Sequence, residues 1–133
     1  MKQLFIKKEN SPRLLLFFAG WGSDENLFRR TVAEGYDCLL CFDYRTLEFD
    51  YSLLDGYREI RLLAWSMGVW VAGQILSGHT YPWEMKLAVN GTPFPIDDRQ
   101  GIAEAVFHGT LENFSDAALA RFRRRICGCA GQV

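Results

Sequence analysis

The sequence predicts an α/β fold built around a mainly parallel β-sheet, and two observations carry that expectation. Near-continuous apolar runs of strand length, "RLLLFFA", "DCLLCFD" and "EIRLLA", recur along the chain, as strands covered on both faces require. Segments with helical spacing alternate with them, which is the order of elements in βαβ units.

Taken from the amino terminus, "KQLFIK" reads as an edge strand and Arg13–Ala19 as the first buried strand. "GWGSDENLF" supplies a tight turn and a helix start. Ser23 is expected to cap it, Asp24 and Glu25 suit its first turn, and Leu27, Phe28 and Val32 form its apolar stripe. "DCLLCFD" is a second buried strand ending at Asp43, and a short helix is expected in the loop "YRTLEFDYSLLDGY". "EIRLLA" is the third buried strand, followed by a helix from about Met67, and "KLAVN", Lys86 to Asn90, is the fourth. Two prolines in "GTPFPIDDRQG" preclude a regular element there. A last helix runs from Ser115, its expected cap, to about Cys127, with Leu119, Phe122 and Ile126 at helical spacing.

A chain of 133 residues with 49% hydrophobic residues has enough material for one packed domain, expected over 1–133. The net charge of −1, from 15 basic and 16 acidic residues, offers no global field to recruit nucleic acid or an anionic membrane. The apolar stretch in "MKQLFIKKEN" is too short for a signal peptide, no window is long enough to span a bilayer, and a cytoplasmic location follows as the expectation. Cys38 and Cys41 form a C-x-x-C inside a strand, where residues three apart face opposite ways. Cys127 and Cys129 have no histidine nearby. Free thiols are therefore expected, with no metal and no cofactor.

The junction between "EIRLLA" and the helix behind it holds Ala64, Trp65, Ser66, Met67 and Gly68. In the G-x-S-x-G elbow of α/β-hydrolases, a nucleophilic serine stands on a strained strand-to-helix turn, and small residues two positions either side let strand and helix pass closely. Alanine in place of the first glycine keeps that steric condition nearly intact. The alternative makes Ser66 a plain helix N-cap. Upstream, "FFAGWGS" puts Gly20, Trp21 and Gly22 directly after a strand. Acyl transfer needs two backbone N–H groups aimed at the developing oxyanion, and the expected donors are Met67, following the nucleophile, and Trp21 in the glycine loop.

The runs "FFAGWG", "CFDYR", "IRLLAWSMGVWVA", "AVNGTPFPIDDRQGI", "FHGTLENF" and "RFRRRICG" together resemble the BioG-type pimeloyl-[acyl-carrier protein] methyl ester esterases of biotin synthesis. The resemblance implies a three-layer α/β-hydrolase-like fold that cleaves the methyl ester of pimeloyl-acyl carrier protein. Ser66 matches its nucleophile, and Trp21 and Met67 its oxyanion-hole positions. Related esterases often have a histidine before the first loop glycine, where this chain has Ala19. Members of the family also continue past Val133, with their acid and histidine in that continuation, so the expected fold is incomplete, its last strands missing.

Within the chain, a base for Ser66 would have to be His79 or His108. His79 follows the helix that starts at Ser66, which sets it about 15 Å away. His108, preceded by Asp97 and Asp98, satisfies the serine–acid–histidine chain order, although it stands close behind "KLAVN" with no strand between. Arg121, Arg123, Arg124 and Arg125 read either as cations at a helix carboxyl end or as a dock for an acidic acyl carrier protein. Trp65, beside the serine, is the expected pocket residue, while Trp70 reads as core and Phe94 is a weaker pocket candidate. Two functions follow: a serine carboxylesterase acting on a carrier-bound ester, or a non-catalytic truncated hydrolase that binds an acyl chain or carrier protein.

Overall fold

The computed structural model describes residues 1–30 and 33–127, with side chains through residue 125. Val32 of the expected first stripe, the side chains of Ile126 and Cys127, and Cys129 lie outside the described residues. The chain forms two compact units, Met1–Pro95 and a second beginning at Ile96.

The first unit holds five strands: β1 (Lys2–Lys7), β2 (Arg13–Phe18), β3 (Asp37–Phe42), β4 (Glu59–Trp65) and β5 (Trp83–Val89), in the order β1-β3-β2-β4-β5. β1 runs antiparallel to β3 and all other pairings are parallel, so the sheet is mixed and mainly parallel. In register, Leu16 lies opposite Leu39 on one side and Leu62 on the other. The central strands β2 and β3 are almost wholly buried, as their unbroken apolar runs require.

Side-chain alternation divides the core between the faces of the sheet. Leu14, Leu16, Phe18, Leu39, Cys41, Ile60, Leu62 and Ala64 pack on one face against Val71, Ala72, Ile75 and Leu76 of helix α2 (Met67–Leu76). Those four helical positions follow a 3.6-residue repeat, and burying each large side chain stabilises the unit by about 1.5–3 kcal/mol. On the opposite face, Phe17, Ala19, Leu40 and Phe42 gather Ile6, Phe28, Leu63 and Trp65. The Cys38 and Cys41 thiols are buried and free, three positions apart along β3 and so on opposite faces. Burial pushes the Cys38 thiol up to about 11 and that of Cys41 further.

Asp37 is the polar exception in this core, 1% exposed at the start of β3. Its carboxylate accepts hydrogen bonds from the Glu9 N–H (2.8 Å), the Ser11 N–H (3.2 Å) and the Tyr57 hydroxyl (2.7 Å), tying the β1–β2 turn to the chain before β4. Burial alone would raise its pKa; these three donors outweigh burial and hold it below the usual carboxylate value.

Two local expectations need correction, and the short helix expected after β3 is present. Helix α1 (Glu25–Phe28) is a single turn capped by Asp24, whose side chain accepts from the Asn26 N–H, so Ser23 is not its cap. The short helix in the loop after β3 is a 3-10 turn, Tyr51–Leu54. β5 begins at Trp83, ahead of Lys86, and is exposed along nearly its whole length, with Met85, Leu87 and Val89 at 42%, 47% and 36% exposure. Among the described residues it pairs with β4 alone, and an apolar run stays uncovered without a second neighbour.

In the second unit, Asp97 accepts from the Arg99 and Gln100 N–H groups, and Asp98 from the Glu104 N–H at the start of α3 (Glu104–Glu112). Ser115 caps α4 (Asp116–Cys127) as expected, its hydroxyl accepting from the Ala118 N–H. No helix among the described residues is long and apolar enough to cross a membrane.

Candidate active site

Ser66 occupies the turn between β4 and α2 with φ 56° and ψ −124°, a left-handed backbone that side chains with a Cβ rarely adopt. The Ser66 N–H donates to the Val89 carbonyl (2.9 Å), and its own carbonyl accepts from the Val69 N–H (3.0 Å), so both neighbouring peptides are fixed. The hydroxyl makes no cap hydrogen bond to α2. An N-cap serine would accept from a first-turn N–H, and this one does not.

The small flanking residues have a steric cause. A Cβ on Gly68 would run into the Phe18 carbonyl oxygen and come within 2.7 Å of the Ala19 oxygen, because α2 crosses the end of β2 there. A Cβ on Gly20 would lie 3.0 Å from the Trp65 ring and 3.2 Å from the Ser66 Cβ. The glycine loop after β2 is therefore seated directly against the serine turn. Met67, at the first helical position of α2, presents an N–H for which the helix provides no carbonyl, at the end where the helix dipole favours negative charge.

Two further bonds define that loop. The Ser23 N–H donates to the Gly20 carbonyl (3.3 Å), and the hydroxyl of Tyr44, just past β3, donates to the Ala19 carbonyl (2.6 Å) while lying 3.0 Å from that of Cys41. A cavity of about 520 Å³ opens beside the loop, lined in part by Gly20, Trp21, Phe42, Tyr44, Arg45 and Met67. At its rim Arg45 clamps the Asp43 carboxylate through two bonds, 2.7 and 2.5 Å, and Lys2 lies 3.5 Å away. The Arg45 bonds hold the Asp43 carboxyl down to about 2.

The structure thus brings Ser66, Met67, Gly20 and the Trp21 loop together. Trp65 packs edge-on to Phe28 at 6.3 Å within the second core cluster and does not line this cavity. Trp70 packs against the first cluster, and Phe94 is exposed. His79 lies beyond the far end of α2, stacked on Tyr51 at 4.4 Å. His108 is exposed on α3 with its ring against Phe107, while Asp97 and Asp98 are engaged by backbone N–H groups in the turn before it. Arg121, Arg123, Arg124 and Arg125 are exposed on α4 and make no ion pair among the described residues. No cluster of metal-ligating side chains occurs among the described residues. Sequence reasoning missed Tyr44; its signal was a lone aromatic hydroxyl directly after a buried strand.

Fold and site together define an α/β protein with a strained serine at the carboxyl end of a mainly parallel sheet, facing a glycine loop. The family model described as "Pimeloyl-ACP methyl esterase BioG" matches residues 1–133, and the chain belongs to that family. It is similar to a malonyl-[acyl-carrier protein] O-methyltransferase of Bacteroides fragilis, 53% identical over 114 residues that cover 86% of this chain and 23% of that protein. An uncharacterised protein of Haemophilus influenzae is 47% identical over 116 residues, 86% of this chain and 53% of the other. The crystal structure of BioG from Haemophilus influenzae superposes with a TM-score of 0.86 at 45% identity, covering 96% of this chain and 58% of that one. The chain thus spans little more than half the length of these Haemophilus relatives, and less of the Bacteroides protein.

Proposed function

We propose that this chain carries the nucleophile and the anion-stabilising amides of a serine carboxylesterase that hydrolyses the methyl ester of pimeloyl-acyl carrier protein, on a three-layer α/β-hydrolase-like fold. One observation supports this above the rest: Ser66 stands at φ 56° with its hydroxyl unused by the helix and the glycine loop against its Cβ. In this reading the Ser66 Oγ attacks the ester carbonyl and its proton passes to a base. The amides of Trp21 and Met67 receive the oxyanion, and methanol leaves with the proton returned. Water then releases the carboxylate and restores the serine. Trp65 packs against Gly20 of the loop beside the nucleophile, and the α4 arginines meet the acidic carrier. The two compact units act as parts of one domain, and the free thiols suit a cytoplasmic setting.

A second reading is favoured by the histidines. Among the described residues neither His79 nor His108 has a carboxylate partner, and relatives of greater length have room for a triad base elsewhere. By itself the chain would then bind an acyl chain or carrier without turnover. The Bacteroides relative's name concerns a methyl group placed on a carrier-bound acid, and the esterase reading concerns its removal. Labelling with a fluorophosphonate separates the two. An activated hydroxyl predicts labelling that Ser66→Ala abolishes, and no labelling of either form assigns the chain to the binding role.

A further inference from the structure

We propose that Tyr44 is a positioning residue for the oxyanion loop: its hydroxyl, bonded to the Ala19 carbonyl at the root of Gly20–Gly22, holds the Trp21 amide in register with Ser66. The inference rests on the reading of Trp21 as an oxyanion donor. A glycine-rich loop has soft backbone dihedrals, so its amides point in a fixed direction only where each peptide plane is pinned from outside. Here two consecutive planes are pinned. The Ala19–Gly20 plane is held by Tyr44 at 2.6 Å, while the Ala19 N–H donates to the Cys41 carbonyl at 3.0 Å. The Gly20–Trp21 plane is held by the Ser23 N–H on its carbonyl, which by planarity turns the Trp21 N–H to the opposite side.

Tyr44 is itself held from both flanks. Asp43 turns the chain through φ 55°, and Arg45 fixes that turn by clamping the Asp43 carboxylate. The Tyr44 ring packs on the main core cluster, and burial pushes its hydroxyl pKa up, so it remains a donor throughout the working range. The segment "DYR" thus acts as a bracket for the loop that follows Ala19.

The test is amide exchange and the Trp21 amide signal in the ¹⁵N-labelled full chain, comparing wild type with Tyr44→Phe, which keeps the ring and removes the hydroxyl. Loss of the bond is expected to speed exchange at Gly20–Gly22 about tenfold and to shift the Trp21 signal, with Val71 in α2 unchanged. Arg45→Gln, which loosens the bracket without touching the ring, is expected to move the same signals less. Unchanged loop signals in both variants, or equal acceleration at Val71, overturn the proposal. A phosphonate arm keeps the two readings apart. If the wild type takes up none, the nucleophile reading fails while the exchange data still decide the role of Tyr44. If it takes up label, Tyr44→Phe should slow the reaction about tenfold at an unchanged half-saturating concentration, and equal rates overturn the positioning role.

Discussion

Ser66 sits in a backbone conformation that glycine adopts freely and serine does not, and such strain costs on the order of 1–3 kcal/mol. Ser66→Gly is therefore expected to raise stability by about 1 kcal/mol in urea denaturation while removing the hydroxyl, and Ser66→Ala to give no such gain. The small residues about this turn were legible because a steric rule dictates them: Gly68 faces a carbonyl that no side chain can displace. Tyr44 was not legible, since its partner Ala19 stands 25 positions earlier and meets it only once β2 and β3 pair. Alongside the clamped Asp43, Asp37 contributes to the pH dependence of stability. Its folded pKa lies below the unfolded value of 3.8, so its contribution is complete above that value and is lost as pH falls through the lower, folded one. Asp37→Asn should lower stability at neutral pH by about 2 kcal/mol and flatten the acid limb of the stability curve, as measured by denaturation from pH 7 to pH 2.

Among the elements, the strands were readable from their apolar runs and α2 from its 3.6-residue repeat. The misses have physical causes. α3 escaped because Gly109, Thr110 and β-branched Val106 weaken helical propensity, and the Glu104 N–H at its start is held by Asp98, six residues earlier. α1 is capped by Asp24 because aspartate is at least as good a cap as serine and stands directly before Glu25. β5 is longer and more exposed than "KLAVN" suggests, because an apolar run signals a strand without saying how many neighbours cover it. Arg121, Arg124 and Arg125 share one side of α4 by helical spacing, with Arg123 turned away. Charge reversal of all four should raise KM for a carrier-borne ester at least tenfold while sparing a small free ester, in parallel steady-state assays on a preparation that turns over. Equal losses on both substrates would remove the docking role.

At the scale of the molecule, the decisive feature is the sheet's uncovered side. β5 presents Met85, Leu87 and Val89 to solvent beside a cavity of about 350 Å³ between β4, β5 and α2. An exposed apolar edge strand invites pairing with another chain. Concentration-dependent association is expected in sedimentation velocity, and Leu87→Lys should shift the population toward monomer without lowering thermal stability by more than about 1 kcal/mol.

The two buried thiols of β3 give the native chain an internal clock. Sealed on opposite sides of the central layer, with their protons held tightly, they can meet an alkylating reagent only when that layer parts. The rate at which a peptide spanning residues 38–41 gains one or two carbamidomethyl groups in dilute iodoacetamide therefore reports openings of one face or of both.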